Sequence, residues 1–206
     1  MEWVEPGIFE VDVRAGTLRG TASSYQKKFK DLTGLYADAA AFASLAHGQG
    51  EQVVYEVTDH RPSARAGDLI TGVTRMSPGR VGDEYFMTRG HVHQQTDRPE
   101  VYFCLAGHGV MLMETPDGET RAVDMKTHAV CYVPSHWLHR SVNVGTEDLV
   151  MLFCYPADAG QNYEIIARSQ GMRHRVVEAG DGGWRLVENA AYRPREPIST
   201  GAPHAA

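Results

Sequence analysis

The chain has 206 residues, 42% of them apolar and 22% charged, with a formal net charge of −6 and a pI of about 5.9. That length and composition suit one domain with a large core. The acidic balance excludes a general polyanion binder such as a nucleic-acid-coating protein, because no basic run supplies phosphate-neutralising charge, and no apolar stretch is long enough for a membrane span.

The opening "MEWVEPGIFEVDV" has neither the basic nor the apolar region of a secretory signal, so none is expected. Residues 1–36 mix basic and small residues and predict an arm that packs on the body or on a second subunit. Residues 37–48, "ADAAAFASLAHG", predict a short alanine-rich helix stopped by Gly48. From there the texture changes. Residues 51–59, 68–76, 84–93, 100–107, 109–115, 120–125, 128–134, 139–144 and 148–156 are rich in β-branched and aromatic residues and bounded by Gly, Pro or Asp. "TPDGET" reads as a turn between two of them. Many short strands with such punctuation predict an all-β antiparallel sandwich or barrel. A short helix ending at Gly171 and a hairpin around Asp181-Gly182-Gly183 follow. From Arg193 the proline-rich tail is expected to be disordered. The expected organisation is therefore an arm with a short helix over 1–50, a barrel with helix and hairpin over 51–190, and a tail over 191–206. Cys104, Cys131 and Cys154 are odd in number, far apart and set in apolar runs, which predicts free thiols in a reducing cytoplasm.

The chemistry gathers in "TRGHVHQQTDRPEVY", residues 88–102. On a strand, residues i and i+2 share a face, so His91 and His93 project together. Glu100 and Tyr102 also share a face, and Glu100 meets the two imidazoles if "QQTDRP" reverses the chain. A further imidazole comes from "VPSHWLHRSVN", where His136 and His139 compete. Three imidazoles and one carboxylate suit a divalent transition ion with positions left open. His47, His60, His108, His174 and His204 lack partners at ligand spacing and are expected at surface or structural positions; His128, which opens a strand, is ambiguous.

The pattern H-x-H, a glutamate, and Gly107 seven residues beyond it resembles the first cupin motif, and "PSHWLHRSVN" resembles the second. Together with "EYFMTRGHVH", "EVYFCLAGHGVML", "VPSHWLHRSVNVG" and "CYPADAGQNYEII", these are similar to the cupin-type phosphoglucose isomerases over roughly residues 30–170. Two local features fit that family better than cupins at large: the six residues between His93 and Glu100, and His136 where glycine is usual. The resemblance implies a cupin jelly-roll barrel (a double-stranded β-helix) with an N-terminal arm and a few short helices. It implies His91, His93, Glu100 and His139 as ligands of one divalent ion per subunit, Fe2+ foremost and Mn2+, Zn2+ or Ni2+ as other candidates. It places sugar-phosphate contacts on Tyr55, Thr74, Thr88, Gly90, Tyr155 and Tyr163; Tyr102 is counted with them. The family commonly has a histidine where this chain has Gln161, and an amide cannot titrate near neutral pH.

The activity so implied is aldose–ketose isomerisation of glucose 6-phosphate and fructose 6-phosphate, in a cytoplasmic homodimer. Glu100 serves as ligand and proton carrier and Tyr155 as hydroxyl donor; a hydride shift between C1 and C2 is the rival route. An Fe(II)-dependent dioxygenase and a non-catalytic sugar-binding protein are the other functions such a barrel supports. The phosphate poses a puzzle. There is no P-loop, and on a flat strand Thr88 and His91 point to opposite faces. A bulge at Gly90, or a strand that begins only at His91, reconciles them. Arg89 is the obvious cation nearby.

Overall fold

The computed structural model describes residues 3–20 and 23–195. A small hairpin, β1 (Glu10–Asp12) and β2 (Thr17–Arg19), is followed by β3 (Ser23–Lys28), a 3-10 turn over Phe29–Leu32 and helix α1 (Ala39–Gln49). Asp38 caps α1 by accepting the Ala41 amide at 2.8 Å. The helix runs through Gly48 and stops at Gly50, not at Gly48 as expected; a Cβ at Gly50 would meet the Ala46 carbonyl oxygen at 2.8 Å.

The long strands are β4 (Val53–His60), β5 (Leu69–Met76), then the short β6 (Arg80–Val81) and β7 (Glu84–Tyr85), then β8 (Glu100–Ala106), β9 (His108–Glu114), β10 (Thr120–Lys126), β11 (Val130–Val133), β12 (Leu138–Asn143) and β13 (Leu149–Pro156). Helix α2 (Glu164–Arg168) and the hairpin β14 (His174–Glu178) and β15 (Trp184–Glu188) complete the order. All pairings are antiparallel. One sheet has the order β11-β8-β13-β5-β4-β3, a second β10-β9-β12, a third β15-β14-β7-β6. This is the all-β cupin jelly roll with few helices.

Side-chain alternation builds the core between the sheets. On β13, Met151, Phe153 and Tyr155 point inward and are buried, as are Met111 on β9 and Leu138 on β12. Each such side chain contributes roughly 1.5–3 kcal/mol by leaving water. The far side of the large sheet is covered locally by the arm. Leu18 packs against Val73 and Val150, with Phe9 and Val11 beside them. Within the region expected to be irregular, "SSYQKK" forms β3, paired from Ser23 with Asp59 to Lys28 with Val53. Its polar residues carry no apolar alternation because β3 is a half-exposed edge strand.

The expected strand over 84–93 is not continuous. Beyond β7 it makes isolated bridges only, Met87 with Val142, His91 with His139 and Val92 with Asn162. At the other end, the expected disorder from Arg193 does not hold through Arg195. That guanidinium is buried on Glu114, a fully buried carboxylate that needs a cation. Residues 196–206 of the expected tail, His204 included, lie outside the described residues.

Candidate metal centre

Gly90 sets the local geometry. Its φ is +72°, open to glycine at little cost, and a Cβ there would meet Arg140 Cβ at 2.9 Å and the His139 carbonyl oxygen at 3.0 Å. The chain therefore changes direction between Thr88 and His91, and both line one cleft. His91 and His139 sit directly opposite each other and exchange both backbone hydrogen bonds, at 3.0 and 2.9 Å. Their rings come to 4.4 Å between centroids. The loop after His93 is held by Arg98, whose side chain forks onto Asp158 at 3.0 and 2.8 Å. That reversal brings Glu100, the first residue of β8, back under the imidazoles.

The ligand atoms of His91, His93, Glu100 and His139 all lie within 4.8 Å of one another, and all four residues are buried. Glu100 Oε2 is 3.0 Å from His139 Nε2, 3.3 Å from His93 Nε2 and 4.0 Å from His91 Nε2. The outer ring nitrogens turn away: His93 Nδ1 donates to the Arg98 carbonyl at 2.7 Å and His139 Nδ1 to the Trp137 carbonyl at 3.2 Å. That arrangement turns the Nε2 atoms inward, and among the described residues those of His91 and His93 are buried with no hydrogen-bond partner. This donor set fits a divalent transition ion. His136 takes no part; its amide donates to the Thr96 carbonyl at 2.6 Å and its φ is +71°.

Electrostatics within the cluster follow from burial and the shared carboxylate. Burial alone would raise the Glu100 carboxyl, but the His139 and His93 imidazoles facing it outweigh burial and hold it well below the usual carboxylate range. His91 is pushed well below the ordinary histidine value by burial and by His139, so its imidazole is neutral. Burial would also lower His93, yet its contact with Glu100 raises it.

Tyrosines surround the cluster. Tyr155 is 5.4 Å from His93 and Tyr163 is 5.6 Å from His91, ring centre to ring centre. The Tyr102 hydroxyl lies beside the Glu100 carboxylate. Burial pushes Tyr155 up to about 12, with the neighbouring Arg61 opposing, so it is a phenol at any working pH. The cleft over the cluster is lined by Tyr55, Thr74, Thr88, Gly90, Tyr102, Tyr155 and Tyr163 together.

The same cleft holds residues that sequence reasoning missed. Asp59, buried on β4, binds Arg61 through contacts of 3.0, 3.0 and 2.6 Å, which places the guanidinium beside Tyr155. Their D-x-R spacing was the available signal. Tyr25 enters from the unforeseen strand β3, and Arg140 and Ser141 from β12. Gln161 accepts a short hydrogen bond from the Tyr163 hydroxyl. The remaining described histidines lie elsewhere: His108 pairs with Asp124 at 2.6 Å, His174 with Thr120 at 2.8 Å, and His60 packs tilted against Phe9.

The family model described as "Glucose-6-phosphate isomerase (GPI)" matches residues 26–195. A glucose-6-phosphate isomerase of Sinorhizobium medicae (strain WSM419) is 54% identical over 96% of this chain and 92% of its own length. The glucose-6-phosphate isomerase of Thermococcus litoralis is 39% identical over 94% of this chain and 100% of its own length. That of Pyrococcus furiosus is 38% identical over 92% and 98%. With a cupin barrel beneath it and a match across most of its length, the chain belongs to the glucose-6-phosphate isomerase family.

Proposed function

We propose that the protein is a metal-dependent isomerase interconverting glucose 6-phosphate and fructose 6-phosphate. The observation that carries this reading is the convergence of three imidazole Nε2 atoms on one carboxylate oxygen at the floor of a tyrosine-lined cleft. His91, His93, Glu100 and His139 would hold the ion, which when bound supplies a Lewis acid for the sugar's carbonyl end. Fe2+ is the ion we favour, with Mn2+, Zn2+ and Ni2+ as alternatives that the same donor set accepts.

The chain's own groups then do the following. Glu100, held ionised, carries a proton between C1 and C2; positioned acid–base groups typically contribute about 10²–10⁴-fold in rate. Tyr155 donates its hydroxyl to a sugar oxygen. Arginine has no lone pair to offer, so Arg61 donates to the phenol oxygen and leaves the phenol's hydrogen for the ligand. Thr74, Thr88, Gly90, Tyr55, Tyr102 and Tyr163 bind the sugar phosphate.

A homodimer belongs to the same reading. Val101 and Phe103 on β8 pair with Tyr132 and Val130 on the edge strand β11, and Val130 and Tyr132 are 65% and 57% exposed. That apolar patch beside an open edge favours coverage by a second copy. The three free thiols agree with a cytoplasmic location. No helix among the described residues is long and apolar enough to cross a membrane.

The test is an anaerobic coupled assay of fructose 6-phosphate conversion after chelation, with each of the four ions added back. Turnover restored by one ion without oxygen is expected. No turnover with any ion, or turnover that needs oxygen, overturns the reading.

A further inference from the structure

Arg140 is buried, follows a candidate metal-ligand position on β12, and among the described residues has no carboxylate of its own. Its Nη2 donates to the Arg89 carbonyl at 2.7 Å, its Nη1 points at the Met87 sulfur at 3.0 Å, and its Nε has no partner. The two carboxylates whose charge reaches it are already engaged. Glu84 takes Arg175 at 2.6 Å and the Ala37 amide. Glu114 takes Arg195 and, at 2.7 Å, the Arg173 amide. Among the described residues, three guanidiniums thus share two buried carboxylates, and the surplus positive charge sits on Arg140. A guanidinium stays charged at neutral pH even when buried. Leaving a buried cation without a counter-charge is costly unless an anion completes the site.

The place for that anion lies directly above. Arg140 Nε lies 3.0 Å from where a Gly90 Cβ would stand, so only glycine lets the two meet. Among the described residues the buried Gly90 amide makes no hydrogen bond, and it lines the cleft with Thr88 and Ser141. An amide without a partner, in left-handed backbone over a cation, is an oxyanion receptor.

We infer that Arg140 is the positioning residue and counter-charge for the phosphate group of the substrate, acting from beneath Gly90 by holding the Arg89 carbonyl and so aiming the Gly90 amide. This rests on the reading of the ligand as a sugar phosphate. It adds to how a chain without a P-loop seats a dianion: Arg140 supplies charge from beneath the Gly90 backbone, in a cleft that Arg61 and Arg89 also line.

The experiment measures binding of inorganic phosphate, fructose 6-phosphate and unphosphorylated fructose to the metal-loaded protein by calorimetry, alongside kcat and KM. Arg140→Met is expected to weaken phosphate and fructose 6-phosphate by about 10- to 100-fold and raise KM in step, as loss of a charged partner does. Metal content and fructose binding stay as in the parent, and kcat stays within about threefold, because uniform binding is what is lost. An unchanged phosphate affinity in Arg140→Met overturns the inference. Should that variant not fold, Arg140→Lys keeps the buried charge but loses the planar fork, and phosphate is expected to weaken by about three- to tenfold. The same affinity in Arg140→Lys as in the parent also overturns it. Calorimetry separates the two readings. Phosphate binding that depends on Arg140 in a protein without turnover sinks the isomerase alone, whereas turnover with phosphate affinity indifferent to Arg140 sinks this inference alone.

Discussion

His93 donates its Nδ1–H to the Arg98 carbonyl oxygen over 2.7 Å, and the Arg98 side chain is itself forked on Asp158. The orientation of one candidate ligand therefore depends on an ion pair outside the cleft. Asp158→Asn is expected to lower metal affinity by about 10- to 100-fold, the usual scale for loss of an outer partner. A metal titration monitored by calorimetry checks it, and the barrel's circular dichroism should be unchanged.

Removing a candidate ligand outright has a sharper outcome. His91→Ala is expected to lose metal and isomerase activity together while the barrel stays folded, since the neutral imidazole of His91 makes no side-chain hydrogen bond that the fold would miss. Full metal content in the purified variant, measured by elemental analysis, would count against the site.

Metal binding should be pH-dependent with a defined sign. In the metal-free site Glu100 raises His93 above the ordinary histidine value, while burial keeps His91 neutral. His93 must release its proton before it can ligate, and His91 has none to release. Apparent affinity is expected to fall as pH falls through the raised value of His93, by about tenfold per pH unit below it. Proton release measured by calorimetry in buffers of different ionisation enthalpy tests this, and no release near neutral pH contradicts it.

Gly90→Ala tests the turn between Thr88 and the histidines. A left-handed alanine costs about 1–2 kcal/mol from backbone alone, before its Cβ meets Arg140 and the His139 carbonyl. A lower melting temperature and weaker metal binding are expected together, because the turn aims His91.

Tyr155→Phe removes a hydroxyl held as a phenol at about 12. The expected result is a kcat lower by about 10- to 100-fold with metal content unchanged, the scale of one lost donor to developing charge. Equal kcat in the variant would assign Tyr155 to packing.

Much of this architecture is legible in the chain because β-branched alternation marks each long strand and i, i+2 spacing marks the histidine pair. The parts that escaped have physical causes. β3 is a polar edge strand, so its residues carry no burial signal. Residues 86–93 are joined to their neighbours by single bridges, which no periodicity announces. The positive φ at Gly90 reconciles Thr88 with His91, and spacing alone had left two ways to do so. Asp59 and Arg61 reach the cleft only through the pairing of β4 with β5, where Asp59 stands opposite Gly72 and a Cβ on Gly72 would meet it at 2.8 Å. Arg140 looks like an ordinary strand residue until its lack of a carboxylate becomes visible in three dimensions.

Glu100 belongs to the six-stranded sheet and His139 to the three-stranded one, with His91 clamped to His139 by two backbone bonds. An ion between them rivets the two walls of the barrel. Its presence should then set heat tolerance as well as turnover, each tenfold rise in free ion above its dissociation constant adding about 1.4 kcal/mol against unfolding. The ion-free barrel, still folded, should melt at a lower temperature and be clipped faster by a protease than the loaded one.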